Sequence, residues 1–172
     1  MARLHRVGLR LTEELVARGW AVLRFNFRGL GSSEGEHGLG IDEVADATGA
    51  LAYMRDRYDL PLAIAGWSFG GAVALRVAAT DADLAACVCV APAIASRPGI
   101  TDGAPPPEDF SFEGPTLIVC GANDDQISPA ECRAWAESAG ARYEEVTGAN
   151  HFFWAKYEPL AGLVGDFLDN AV

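Results

Sequence analysis

The stretch LPLAIAGWSFGGAVALRVAA, residues 60–79, constrains the fold more than any other part of the chain. Residues 60–65 are a short apolar run of the kind that makes a buried strand. Residues 69–79 carry Val73, Leu75, Val77 and several alanines, as a packed helix does. Between them Gly66-Trp67-Ser68-Phe69-Gly70 fits the pattern G-x-S-x-G. A strand that becomes a helix across so few residues must turn sharply, and glycines flanking Ser68 remove side chains that would collide there.

The rest of the chain repeats the alternation. Leu4, Val7, Leu11 and Leu15 recur at helical spacing, and Gly19 follows as a stop signal. AVLRFNFRG, residues 21–29, alternates and is rich in β-formers, which predicts a strand. A turn-rich loop over 29–35 leads to a helix over 41–57, with Val44, Ala45, Leu51 and Met54 inward. AACVCVAPA, TLIVCG and residues 142–146 read as further strands. Ser128-Pro129-Ala130-Glu131 is a capping box with proline at the first helical position, opening a helix to about residue 139. A closing helix is predicted over 154–168. Residues 96–115, with Pro98, Pro105, Pro106 and Pro107, are too short and proline-rich to fold as a lid. The pattern predicts one α/β domain over 1–172, a mostly parallel sheet with helices on both faces.

Composition narrows the function. The 172 residues can bury a sizeable core, and the net charge is −11 with a single lysine, Lys156. Such a surface repels phosphate backbones and anionic lipid, which argues against nucleic-acid and membrane partners. Arg3, Arg6, Arg10, Glu13 and Glu14 leave no signal peptide in the first residues, and no apolar run approaches the ~18 residues of a membrane span. Cys87, Cys89, Cys120 and Cys132 follow no metal or disulfide spacing; the first two and Cys120 sit in apolar runs as small hydrophobes. These features read as a reduced, cytoplasmic protein. Glu34 stands where G-x-G-x-x-G needs its third glycine, and no phosphate-loop motif occurs, so a nucleotide site is rejected.

A serine hydroxyl becomes a nucleophile when a base takes its proton and a carboxylate orients the base. The helix that starts after Ser68 aims its N–H groups at developing negative charge, and the N–H of Phe69 is the natural first oxyanion donor. His5 reads as a helix-surface residue and His37 as a solvent-exposed loop residue. His151 follows the last strand, in Thr147-Gly148-Ala149-Asn150-His151. Asp124 and Asp125 follow the fourth predicted strand, where Asn-Asp-Asp is also ordinary turn chemistry. Serine, aspartate and histidine, each just past a strand's carboxyl end, occur in the order Ser…Asp…His.

With these residues in view, the chain resembles the α/β-hydrolase superfamily, specifically its small, lidless bacterial serine hydrolases. RFNFRGLGSSEG, GWSFGG, LIVCGANDDQISP and GANHFF carry the resemblance, which covers essentially the whole chain. It implies Asp124 as the acid, with Asp125 the less favoured choice, and acyl transfer from a small-molecule ester through an acyl-enzyme at Ser68. It implies no metal and no organic cofactor. A serine nucleophile argues against the aspartate and cysteine variants of the fold. Trp67, Phe152 and Phe153 either line an acyl pocket or pack beneath it. Arg28 reads as a loop anchor. Without a lid, small soluble acyl groups are expected.

The resemblance also implies a departure. Relatives of this kind begin with strands ahead of the first helix, one of them lying between the strands matching residues 21–27 and 60–65. The loop after it donates the second oxyanion N–H. This sequence opens at Met1 in a helical pattern, so the expectation is a hydrolase fold lacking its first strands, either as a truncated frame or as a short variant with a repacked sheet. One missing oxyanion donor costs about 2.7–4 kcal/mol of transition-state stabilisation. A serine esterase with weakened activity is therefore expected. The alternatives are a non-catalytic binding module and, with the same triad, an amidase or peptidase.

Overall fold

The computed structural model describes residues 6–95 and 103–172, so the readings made for Leu4, His5 and Pro98 lie outside the described residues. Three of its strands are short apolar runs. β1 is Ala63–Trp67, β2 Ala86–Val90 and β3 Thr116–Gly121, while the more polar β4 is Arg142–Val146. Every residue of β2 and β3 is buried. Such continuous burial requires cover on both faces, the usual state of a parallel sheet. The four strands are parallel in the order β1-β2-β3-β4, with Ile64 opposite Cys87, Val88 opposite Leu117 and Ile118 opposite Tyr143.

The helices are α1 Arg6–Ala17, α2 Glu43–Arg57, α3 Phe69–Ala78, α4 Pro129–Ala139 and α5 Tyr157–Ala171. α3 packs on β1 and β2, α4 on β3 and β4, and α2 lies against α3. Right-handed crossovers between successive parallel strands put α3 and α4 on one face. α1 and α5 pack on each other, and α5 reaches β2 from the opposite face. Arg18 fixes that pair by hydrogen bonds to Glu14, Asp166 and Asp169. All four cysteines are buried, Cys87, Cys89 and Cys120 in the strands as expected of small hydrophobes.

Two expectations are corrected. Ala45 faces solvent, and Ala47 takes the core position beside Leu51. More importantly, residues 21–27 are not a strand. They form no ladder bond among the described residues, and β1 is the edge of the described sheet. The residues keep their β-forming character but have no neighbour to pair with, and a strand exists only as one side of a ladder. Phe27 still packs on Phe69, ring centroids 5.6 Å apart, and Arg28 ties the segment to α2 through a forked contact with Asp46. Arg28 is thus the loop anchor its sequence position implied.

Candidate active site

Ser68 sits at the turn between β1 and α3 with φ 54° and ψ −116°, a conformation non-glycine residues rarely adopt. The turn is held by the Ser68 N–H, which donates to the Val90 carbonyl at 2.8 Å, and by the Ser68 carbonyl, which accepts from Gly71, Ala72 and Ala93. Gly66 is obligatory for close approach: a Cβ there would lie 2.0 Å from the Gly70 carbonyl oxygen. The first N–H of α3, at Phe69, precedes any carbonyl its own helix could offer, so it stands open beside the serine.

Asp124 and His151 reach the site from the loops after β3 and β4. Those loops are joined backbone to backbone: the Asn123 N–H donates to the Ala149 carbonyl at 2.8 Å, and Ala122 donates to Val146 at 3.1 Å. The junction is tight enough that a Cβ on Gly121 would lie 2.5 Å from the Ala149 oxygen. The fixed loops bring the imidazole between serine and carboxylate. His151 Nδ1 lies 2.8 Å from Asp124 Oδ2, and its Nε2 lies 3.0 Å from Ser68 Oγ. A carboxylate only accepts, so Nδ1 carries the proton and Nε2 is free to accept from the Ser68 hydroxyl.

The Asp124 side chain is fully enclosed. Burial alone would raise its carboxyl pKa, but hydrogen bonds from His151 and from the Ile127 and Gln126 N–H groups outweigh burial and hold it below the usual carboxylate range. Asp125, the other carboxylate of the loop, is exposed. The structure therefore brings together Ser68, His151 and Asp124 and leaves Asp125 outside.

The aromatic residues singled out in the sequence gather around the histidine. The Trp67 ring lies 5.1 Å from the imidazole, and its indole N–H donates to the His151 carbonyl at 3.1 Å. Phe152 stands edge-on to the imidazole, centroids 5.4 Å apart. Phe153 is completely buried in the hydrophobic core. His37 is exposed, as expected, yet its Nδ1 donates to Glu43, a fully buried carboxylate that also accepts from the Gly38 and Gly40 N–H groups. The His37 ring meets the Phe69 ring at 5.0 Å.

Sequence reasoning missed Glu43, whose only signal was an acidic residue after a glycine-rich loop at a helix start. It also missed Asn150, whose Oδ1 accepts the Phe152 N–H at 3.1 Å and shapes the histidine loop. Asparagine in a turn is a usable but general signal for that. Among the described residues, no three His, Cys, Asp or Glu side chains converge as a metal-ligand set, and no helix is long and apolar enough to cross a membrane.

Comparison with known proteins agrees with this architecture. Residues 5–110 match the family described as serine aminopeptidase, S33. An α/β serine hydrolase homologue from Coxiella burnetii superposes with a TM-score of 0.83 at 26% identity, over 95% of this chain and 76% of that one. An α/β serine hydrolase without a lid from Xanthomonas campestris gives 0.82 at 26% identity, over 98% and 75% of the two chains. An esterase from Pyrococcus furiosus has the same fold, with a TM-score of 0.83 at 20% identity over 98% of this chain and 76% of that one.

Proposed function

Because the chain belongs to the serine aminopeptidase S33 family, which matches it over more than half its length, we propose that it is a serine hydrolase cleaving carboxylic esters of small acyl groups. The observation that carries the proposal is the continuous relay from Ser68 Oγ through His151 to Asp124, at 3.0 and 2.8 Å. The esterase activity of the Pyrococcus furiosus protein of the same fold supports an ester as substrate.

In this reading the Ser68 oxygen attacks the ester carbonyl carbon while His151 Nε2 takes the hydroxyl proton. The imidazolium that forms donates through Nδ1 to Asp124, whose depressed pKa keeps it ionised and able to stabilise that charge. The oxyanion accepts from the Phe69 N–H, at the positive end of α3. The alcohol then leaves with the proton from Nε2. Water enters, gives a proton to Nε2 and attacks the acyl carbon; the acid leaves as Ser68 Oγ takes that proton back from Nε2. Trp67 and Phe152 flank the imidazole through these steps and hold its plane.

Fluorophosphonate labelling of the purified chain tests the proposal, with Ser68→Ala, His151→Ala and heat-denatured protein as controls. Labelling that is lost in the two folded variants supports it, and a panel of acetate and butyrate esters against matched amides then sets the bond cleaved. A folded chain that takes no label overturns it in favour of a binding module.

A further inference from the structure

The relay accounts for His151 but not for the side chains that lead away from it. Phe152 is edge-on to the imidazole at 80°, and Trp154 stacks on Phe152 with centroids 5.5 Å apart and planes at 22°. Trp67 closes the inner end, 6.0 Å from Phe152. The three rings and the imidazole form one aromatic strip that starts at the base and ends in solvent. Its outer member, Trp154, is 65% exposed. A large indole left in water beside a reactive group has apolar area still to bury.

The backbone holds that indole out. Asn150 Oδ1 accepts the N–H of Trp154 at 3.4 Å as well as that of Phe152. The residues on either side of Trp154, Phe153 and Ala155, have φ of 53° and 58°. Non-glycine residues adopt such angles only where their surroundings impose them. Here the buried Phe153 ring anchors the loop, so Trp154 turns outward between two constrained neighbours. The exposure of Trp154 is a product of the loop, not of a loose terminus.

We infer that Phe152 and Trp154 form a stacking subsite for a planar aromatic ring carried on the alcohol side of the ester. The inference rests on the reading of Ser68, His151 and Asp124 as a hydrolytic relay. In that relay the leaving oxygen takes its proton from His151, so the strip that begins at His151 runs along the alcohol portion. An aromatic ring gains offset stacking on the indole face, whereas a saturated ring of equal size gains only area. The substrate class is then a small acyl group on an arylalkyl alcohol.

The test has two readouts. The first is kcat/KM for 2-naphthylmethyl acetate against cyclohexylmethyl acetate, in the native chain and in Trp154→Ala and Trp154→Phe. The native chain is expected to favour the aromatic ester by about threefold to tenfold, the range of aromatic-pair energies. Trp154→Ala is expected to abolish the preference through KM, and Trp154→Phe to restore most of it. The second readout is calorimetric binding of 2-naphthylmethanol against cyclohexylmethanol to the Ser68→Ala chain, with and without Trp154→Ala. It needs no turnover, so it tests the subsite even if the hydrolase reading fails. An equal loss for both esters on Trp154→Ala, or no difference between the two alcohols in binding, overturns the inference.

Discussion

β3, an apolar run, and residues 21–27, an alternating one, are both short and rich in β-formers, and they end differently. β3 is paired on both sides, and Ile118 and Val119 within it are completely buried. Residues 21–27 lie beside α2 with no ladder among the described residues, and Leu23 and Phe25 are exposed along a groove of about 430 Å³. The difference teaches what β-propensity measures. It reports how well a side chain suits a pleated, half-buried surface, and the surface must come from another strand. β1 lies between the two cases, paired to β2 on one side and half-exposed along its length.

Amide hydrogen exchange should give the widest separation. The Ile118 and Val119 amides lie in the middle of the sheet and should exchange only through global unfolding, with protection equal to the full stability, about 5–15 kcal/mol for a domain. The Leu23 and Phe25 amides bond to no backbone carbonyl among the described residues and should exchange close to the unprotected rate. Protection of Leu23 and Phe25 comparable to that of Ile118 would break the comparison, because it would require a ladder in solution.

The same contrast explains which parts of the molecule were legible in the sequence. β3, β4 and α4 follow from local signals: an apolar run ended by glycine, and a capping box in which Ser128 does accept from the Glu131 N–H. The serine turn was legible because steric necessity leaves its own mark, glycine at position 66. Residues 21–27 were misread because pairing is a relation between distant segments, and local alternation carries no record of whether the partner exists. Among the site residues, chain order pointed to Ser68 and His151. Asp124 over Asp125 came from the family resemblance alone; the physical reason, the N–H groups of Gln126 and Ile127 that turn the Asp124 carboxylate inward, is visible only in the fold. Trp67 was legible as a residue beside the serine, but its hydrogen bond was not, since the partner carbonyl belongs to a residue 84 positions away.

A second, smaller effect tests whether the relay depends on those turned-in bonds. Asp124→Asn should lower kcat by about 10⁴, the cost of losing the charge that fixes the histidine tautomer, while Asp125→Asn stays near the native rate. The substitution should also change the acid response of stability. Asp124 has a folded pKa below its unfolded value of about 3.9, so its contribution is fully present above that value. It is lost as pH falls through the lower folded value. Urea midpoints between pH 6 and 3 should therefore fall less in Asp124→Asn than in the native chain. An equally steep fall would show that Asp124 is not held ionised by the fold.

The smallest expected effect is the sharpest on the comparison itself. Ile118→Ala removes a branched side chain from a site with 0% exposure and should cost about 2–5 kcal/mol of unfolding free energy, because the cavity cannot collapse. Phe25→Ala removes a larger side chain, and area alone would make it the costlier change. Phe25 is 45% exposed, and its assigned ring contact is with Phe27, two residues along the same segment, at 5.2 Å. A contact between residues two apart in the chain survives in the unfolded state to a degree that a contact across the sheet does not, so its loss changes the folded and unfolded states together. The expected cost is about 0.5 kcal/mol, the ordinary value for a surface position. Urea unfolding of both variants decides it. A cost for Phe25→Ala near that of Ile118→Ala would mean that the phenyl ring is packed against a neighbour in solution and that the groove beside α2 is closed. Residues 21–27 would then be a strand after all, and the open edge of β1 in the described sheet would be the place for its partner.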